Sequence, residues 1–337
     1  MNYPSIKPYI GNLEQVFSVR KSRIDGGRGD GVRIVDVHNG GNLSLTVLPD
    51  RCLDIYSVRF HGKNLSYLAP NGISHPSYYS PFGEGWSESY YGGFLYTCGL
   101  AHVGIKDDDS WSGQKEHGCA ANLPAENVCM ELSEDANGPV LTLRARMREA
   151  MLCGPNLVLD RVMRIQYQQD SIEVEDTVRN QSFHDQDYSL LYHCNTGYPL
   201  LSEAAVLDIP YRNVRGRTPH AQNNIDRLNE IWAPEDSMEE MCYYYDVLPA
   251  QDGWATVSLK NPSEGIGMLI DYDTSTLDQF VQWKYFVKGE YVMGLEPCNT
   301  TLDGAADAKA RHTQHTLAPG ACAVHKLRFR FVEVPAK

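Results

Sequence analysis

The chain has 337 residues, 42% of them hydrophobic, and a formal net charge of −13. An acidic surface of that size repels phosphate backbones and argues against a nucleic-acid partner. No run of eighteen apolar residues is present, so no membrane-spanning helix is expected. The opening residues Met1–Lys7 lack the apolar stretch of a signal peptide, which points to a cytoplasmic protein.

Residues 1–30 read as an N-terminal extension of loops and edge strands, with a glycine-rich turn at Ser22–Asp30. That turn lacks the G-x-G-x-x-G order and the following helix that a dinucleotide site needs. Val32–His38 and Leu43–Leu48 alternate apolar and polar residues about Asn39-Gly-Gly41, the pattern of a hairpin. Ile55–Phe60 and Asn64–Leu68 continue it. Residues 70–90 are rich in Pro, Ser, Tyr and Gly, and a long loop of this kind in a compact domain suits the wall of a cleft. Tyr91–Leu100 is a glycine-bounded strand, and Lys106–Gly113 a polar loop.

Further strands are expected at Val140–Met147, Leu157–Tyr167, Ser171–Val178 and Tyr188–Tyr192. Residues 212–240 are polar, with a short helix expected at Pro234–Met241. Trp254–Leu259, Gly267–Tyr272 and Lys326–Val332 are strands. Phe280–Cys298 is a hairpin about Lys288-Gly289-Glu290, and Pro297 is expected to stop its second strand because it has no N–H for the ladder. Short strands at spacings of about ten residues predict an all-β sandwich or barrel. The 9 Cys include no C-x-x-C pair, so they read as free thiols of a reducing compartment.

Four places set a polar residue in an apolar or glycine-rich background: His117 before Gly118, His193 at the end of a strand, Asp246 after three tyrosines, and Glu296 in Gly294-Leu-Glu-Pro297. Two histidines and a glutamate suit acid–base chemistry at neutral pH. Arg51 is a candidate cation for an anionic group. His102, in Gly99-Leu-Ala-His102, is a further candidate. Gln282 and Lys284 alternate with Trp283 and therefore share one face of their strand. The reading adopted puts that face in the cleft and Trp283 in the core. The opposite assignment makes Trp283 a platform for a sugar ring.

The order of these motifs resembles the aldose 1-epimerase (galactose mutarotase-like) superfamily. His117-Gly118, His193-Cys194-Asn195, Tyr245-Asp246, Gly294–Pro297 and Leu317–Gly320 before a last strand follow one another as they do there. More narrowly the chain is similar to a poorly characterised aldose 1-epimerase-like branch, through Leu48–Asp54, Thr97–Leu100 and Gln282–Lys284. The likeness spans about residues 30 to 333 and so treats the chain as a single aldose 1-epimerase-like domain over 1–337. It implies a galactose mutarotase-like β-supersandwich with a shallow cleft, an isomerase of carbohydrate metabolism and a small-molecule sugar partner, with no cofactor. It makes Glu296 the base that takes the anomeric proton and His193 the acid that protonates the ring oxygen. His117 then binds substrate and Asp246 accepts a sugar hydroxyl. The Asn-Arg pair that archetypal members carry before their His-Gly is missing here, and Arg51 is the expected substitute, with Lys284 a second cation for a phosphosugar. Two other readings stand beside this one. His102, His117, His193 and Glu296 are a mixed ligand set for zinc or manganese in a metal-dependent sugar isomerase or lyase. A non-catalytic carbohydrate-binding protein would keep the same cleft. The sugar and the oligomeric state are left open by the sequence.

Overall fold

The computed structural model describes residues 3–106 and 115–335. Its first sheet is a meander of β1 (Ser18–Arg23), β2 (Arg33–His38), β3 (Leu43–Leu48), β4 (Asp54–Phe60) and β5 (Lys63–Asn64). β6 (Tyr96–Leu100) follows the loop at 70–90. A second meander comprises β7 (Glu126–Asp135), β8 (Gly138–Ala150), β9 (Asn156–Gln166) and β10 (Ser171–Asn180). Then come β11 (Gln186–Thr196), β12 (Val206–Asp208), β13 (Tyr211–Gly216) and β14 (Met241–Val247). The chain closes with β15 (Trp254–Asn261), β16 (Ile266–Asp273), β17 (Gln279–Val287), β18 (Glu290–Cys298), β19 (His315–Leu317) and β20 (Cys322–Glu333). The second meander joins β12, β15, β16 and β20 in an eight-stranded sheet, ordered β12-β15-β16-β20-β10-β9-β8-β7. A seven-stranded sheet runs β13-β14-β17-β18-β11-β19, with β6 also paired to β11. The all-β expectation is met.

Alternation explains the eight-stranded sheet. In β10, Ile172, Val174 and Val178 are buried while Glu173 is exposed; in β20, Leu327, Phe329 and Phe331 are buried while Lys326 and Arg328 are exposed. A half-solvated antiparallel sheet requires this pattern. β11 and β18 do not alternate: every residue from Leu190 to Thr196 and from Val292 to Cys298 is buried, because the seven-stranded sheet is covered on both faces. The main apolar cluster, which includes Val35, Leu143 and Tyr243, draws on all three sheets and covers one face. A second cluster, including Tyr67, Tyr90, Tyr96, Tyr244 and Val281, covers the other.

Buried ions pin the sheets together. Arg161 on β9 donates to Asp54 on β4 at 2.6 Å, to Asp176 on β10 at 2.9 and 2.7 Å, and to the Thr97 hydroxyl on β6 at 2.9 Å. Asp54 also accepts from the Thr97 N–H and hydroxyl, and the Tyr192 hydroxyl donates to Asp176. Ion pairing and hydrogen bonding of this kind offset the cost of taking a cation out of water.

Two local expectations change. Residues 234–240 form no helix; Glu235 instead bonds the backbone of Phe286 and Lys288, which draws the segment out along β17. A short helix α1 (Pro219–Asn223) appears earlier, capped by the Thr218 side chain on the Ala221 N–H. Strand β18 runs through Pro297 to Cys298, its missing N–H falling where the bonding to β11 is interrupted. The expected polar loop Lys106–Gly113 lies, from 107 on, outside the described residues. Among the described residues no helix is long and apolar enough to cross a membrane.

Candidate active site

The β17–β18 hairpin turns through Lys288 and Gly289, whose φ of +84° suits a tight turn. Its register pairs Trp283 with Gly294 and Val281 with Glu296. On the other side of β18, Cys194 pairs with Leu295 and Leu191 with Cys298. Continued by one residue, that register sets His193 opposite Glu296 on the same face. Directly opposed side chains on antiparallel strands touch, and His193 Nε2 lies 3.3 Å from Glu296 Oε1. Gly294 makes room for this contact: a Cβ there would stand 2.2 Å from Glu296 Oε1.

The pair forms the floor of a cleft of about 230 Å³, a size for one small ligand rather than a chain. Glu296 is only 1% exposed and His193 4%. Burial raises the Glu296 carboxyl well above its ordinary range, Glu240 adds to the rise, and Arg217 opposes it. Burial pushes His193 down to about 3. Both shifts favour the uncharged form of each partner. Glu296 Oε1, His193 Nδ1 and His117 Nδ1 have no hydrogen-bond partner among the described residues.

His117 stands across the cleft, its ring centre 6.1 Å from that of His193. Its backbone has φ +52° and is held by bonds from the Gly99 N–H to its carbonyl and from its own N–H to the Gly104 carbonyl. Gly118 is needed beside it, because a Cβ there would meet the Gly99 and His102 carbonyls at 2.3 and 2.4 Å. Burial, with His193 and Arg217 nearby, holds the His117 imidazole well below its ordinary value.

Aromatic rings complete the walls. Trp86 stacks on Tyr90 at 4.7 Å and lies 4.9 Å from His117. Trp283 meets the His193 ring edge-on at 5.4 Å and parallels Tyr285 at 6.1 Å. Loop 70–90 is the expected wall, supplying Pro70, Asn71, Trp86, Ser87 and Tyr90.

Of the residues expected from the sequence, Glu296, His193 and His117 converge in this cleft; the others do not line it. Gln282 and Lys284 face the main core, so the adopted assignment is reversed and Trp283 is the cleft residue. The register dictates this, since Trp283 shares its face with Gly294 and Glu296. Gln282 accepts from the Tyr245 hydroxyl at 2.7 Å and donates to the Leu228 carbonyl; Lys284 donates to the Arg227 and Glu230 carbonyls at 2.8 and 3.0 Å. Burial and the Arg227 charge push Lys284 down to about 7. Asp246 is exposed and lines a separate groove with Arg215 and Arg311. His102 turns Nε2 to the Ile105 carbonyl at 2.7 Å. Arg51 is fully buried behind the wall, held by backbone carbonyls.

The cation that does line the cleft is Arg217, which follows β13 directly. Its Nε donates to Asp303 at 2.8 Å, and Trp283 Nε1 donates to Glu240 at 2.9 Å beside it. No motif in the sequence marks Arg217. Only the pairing of Gly216 with Tyr243 brings it to the cleft.

The sheet order and the cleft define a protein of the galactose mutarotase-like fold. Among solved structures the chain is similar to a candidate aldose 1-epimerase from Klebsiella pneumoniae, at 22% identity and TM-score 0.89 over 96% of this chain and 86% of that one. It is also similar to a galactose mutarotase-like protein from Clostridium acetobutylicum, at 11% identity and TM-score 0.65 over 95% and 100% of the two chains. Galactose 1-epimerase from Lactobacillus acidophilus matches at 9% identity and TM-score 0.60 over 94% and 99%. At these identities the likeness is one of fold. No curated protein matches the chain. The chain belongs to the family described as Domain of unknown function (DUF4432), whose model matches residues 29–331.

Proposed function

We propose that the cleft interconverts the α and β anomers of an uncharged aldose or related sugar by acid–base ring opening. The observation that carries this is the His193–Glu296 contact of 3.3 Å at a buried floor. The two oxygens that exchange protons in ring opening, the anomeric hydroxyl and the ring oxygen, are bonded to the same carbon. An acid and a base in contact can therefore serve both at once.

The proton count supports it. Moving one proton from Glu296 to His193 gives carboxylate and imidazolium. The carboxylate takes the anomeric proton, the imidazolium protonates the ring oxygen, and the ring bond breaks to leave a carbonyl. That step returns the pair to carboxylic acid and neutral imidazole, the form burial favours. Rotation about C1–C2 and the reverse step on the other carbonyl face yield the other anomer. In this reading His117 and Arg217, which line the cleft, bind sugar oxygens, and Trp283 and Trp86 pack against the ring. Cleft charge favours an uncharged substrate. Glu116, Glu240 and Glu290 face, among the described residues, one cation, Arg217, which Asp303 already holds.

Saturation-transfer NMR across neutral, acidic and phosphorylated sugars tests this. Exchange above the spontaneous rate is expected for a neutral sugar. Glu296→Gln should cut it by about 10²-fold or more while sugar affinity stays near the parent's, because Gln keeps the shape and loses the basicity. Undiminished exchange in that variant would remove Glu296 from the reaction.

A further inference from the structure

Arg51 has no carboxylate partner among the described residues, yet it is fully buried. Its hydrogen bonds go to backbone carbonyls at three positions far apart in the chain, with a longer one to the Ser74 hydroxyl at 3.3 Å. Nε donates to Ala121 at 2.6 Å, one terminal nitrogen to Ser74 at 2.8 Å and the other to Ser89 at 2.9 Å. The guanidinium also lies over the Tyr91 ring at 4.6 Å. Ser74 and Ser89 are the two ends of the wall segment that carries Trp86 and Ser87 onto the cleft. Ala121 lies in the turn that follows His117-Gly118. Between its ends the wall reaches the His117 turn through the Tyr79 hydroxyl, which donates to the Gly118 carbonyl at 3.3 Å. A planar fork with five N–H donors can hold three carbonyls in one fixed arrangement, and a lysine ammonium cannot. Removing a cation from water without a counter-ion is costly.

We infer that Arg51 is a positioning residue: it fixes the wall 74–89 and the His117 turn at the spacing that binds the sugar, without touching the sugar itself. The kinetic consequence rests on the proposed anomer exchange; the structural consequence does not. Glu296 and His193 sit on strands β18 and β11, to which Arg51 makes no hydrogen bond among the described residues, so the chemical step is left intact while recognition suffers.

Hydrogen exchange by mass spectrometry on Arg51→Lys and Arg51→Ala tests the structural arm in the absence of sugar. Segments 75–90 and 116–123 should exchange about tenfold faster, while β11 and β18 keep the parent's protection. In the NMR assay, KM should rise about tenfold or more with kcat within about threefold of the parent. Guanidinium added at millimolar concentration to Arg51→Ala should restore both readouts, and urea should not. Unchanged exchange in both segments would overturn the inference, as would uniform acceleration through all three sheets or a fall in kcat at constant KM. If Arg51→Ala does not fold, Arg51→Lys carries both arms. A parent with no anomer exchange would overturn the proposed reaction, while the hydrogen-exchange result still decides the role of Arg51.

Discussion

Gly294→Ala separates the chemistry from the stability of the fold. An added Cβ would lie 2.2 Å from Glu296 Oε1, 3.2 Å from its Cδ and 3.3 Å from His193 Cε1. Non-bonded heavy atoms settle at about 3.5 Å, so the carboxyl oxygen must move by roughly 1 Å. The group in the way is the end of a flexible side chain, with open cleft beside it. The stability cost should therefore stay below about 1 kcal/mol, less than the ~1–3 kcal/mol of an overpacked rigid core. The rate cost should be far larger. A displacement of ~1 Å in a reacting group is worth about 10²-fold, and here it separates Glu296 from His193 as well. The assays are anomer exchange by NMR and urea unfolding on the same preparation. Exchange within twofold of the parent would refute the placement of the carboxylate. A stability loss of several kcal/mol with intact exchange would refute the claim that the carboxylate is the yielding group.

Lys284 gives a prediction in pH. Its folded value of about 7 lies below its ordinary value. Between about pH 7 and 10 the unfolded chain therefore holds a proton that the folded chain lacks, and stability rises with pH through that window, by at most about 1.4 kcal/mol per unit. Lys284→Met should remove this contribution, so urea unfolding at several pH values should show a shallower rise in the variant; equal slopes in both proteins would refute it. In the buried ion network, Asp54→Asn should destabilise by about 3–5 kcal/mol, because it leaves the Arg161 charge short of a partner. A loss under about 1 kcal/mol on thermal unfolding would show that Asp176 suffices for Arg161.

Strands that face the core on one side were legible from the sequence. Ile172, Val174 and Val178 alternate with polar neighbours because that sheet has one wet face. The hairpin 280–298 was legible from its aromatic and β-branched runs about a glycine. Glu296, His193 and His117 were marked by the glycines and the strand end beside them, and all three meet. The errors share a cause: the partner of a polar residue lay far away in the chain. Gln282 and Lys284 read as cleft residues because polar side chains usually avoid a core, yet the carbonyls that satisfy them belong to Arg227, Leu228 and Glu230. Arg51 reads as a substrate cation for the same reason, its acceptors lying at 74, 89 and 121. Arg217 sits in a polar stretch without periodicity, and strand pairing alone delivers it to the cleft.

The two apolar clusters on opposite faces of the seven-stranded sheet bear on how such a protein diversifies. The aromatic side chains that line the cleft rest on the smaller cluster and on loops, while the larger cluster carries the burden of folding. Variation at Trp86, Tyr90 or Trp283 is thus partitioned from the main core by a layer of backbone. A library confined to 69–90 should return new ligand preferences without a parallel search for compensating core changes, with His193, Gly294 and Glu296 left as the invariant frame.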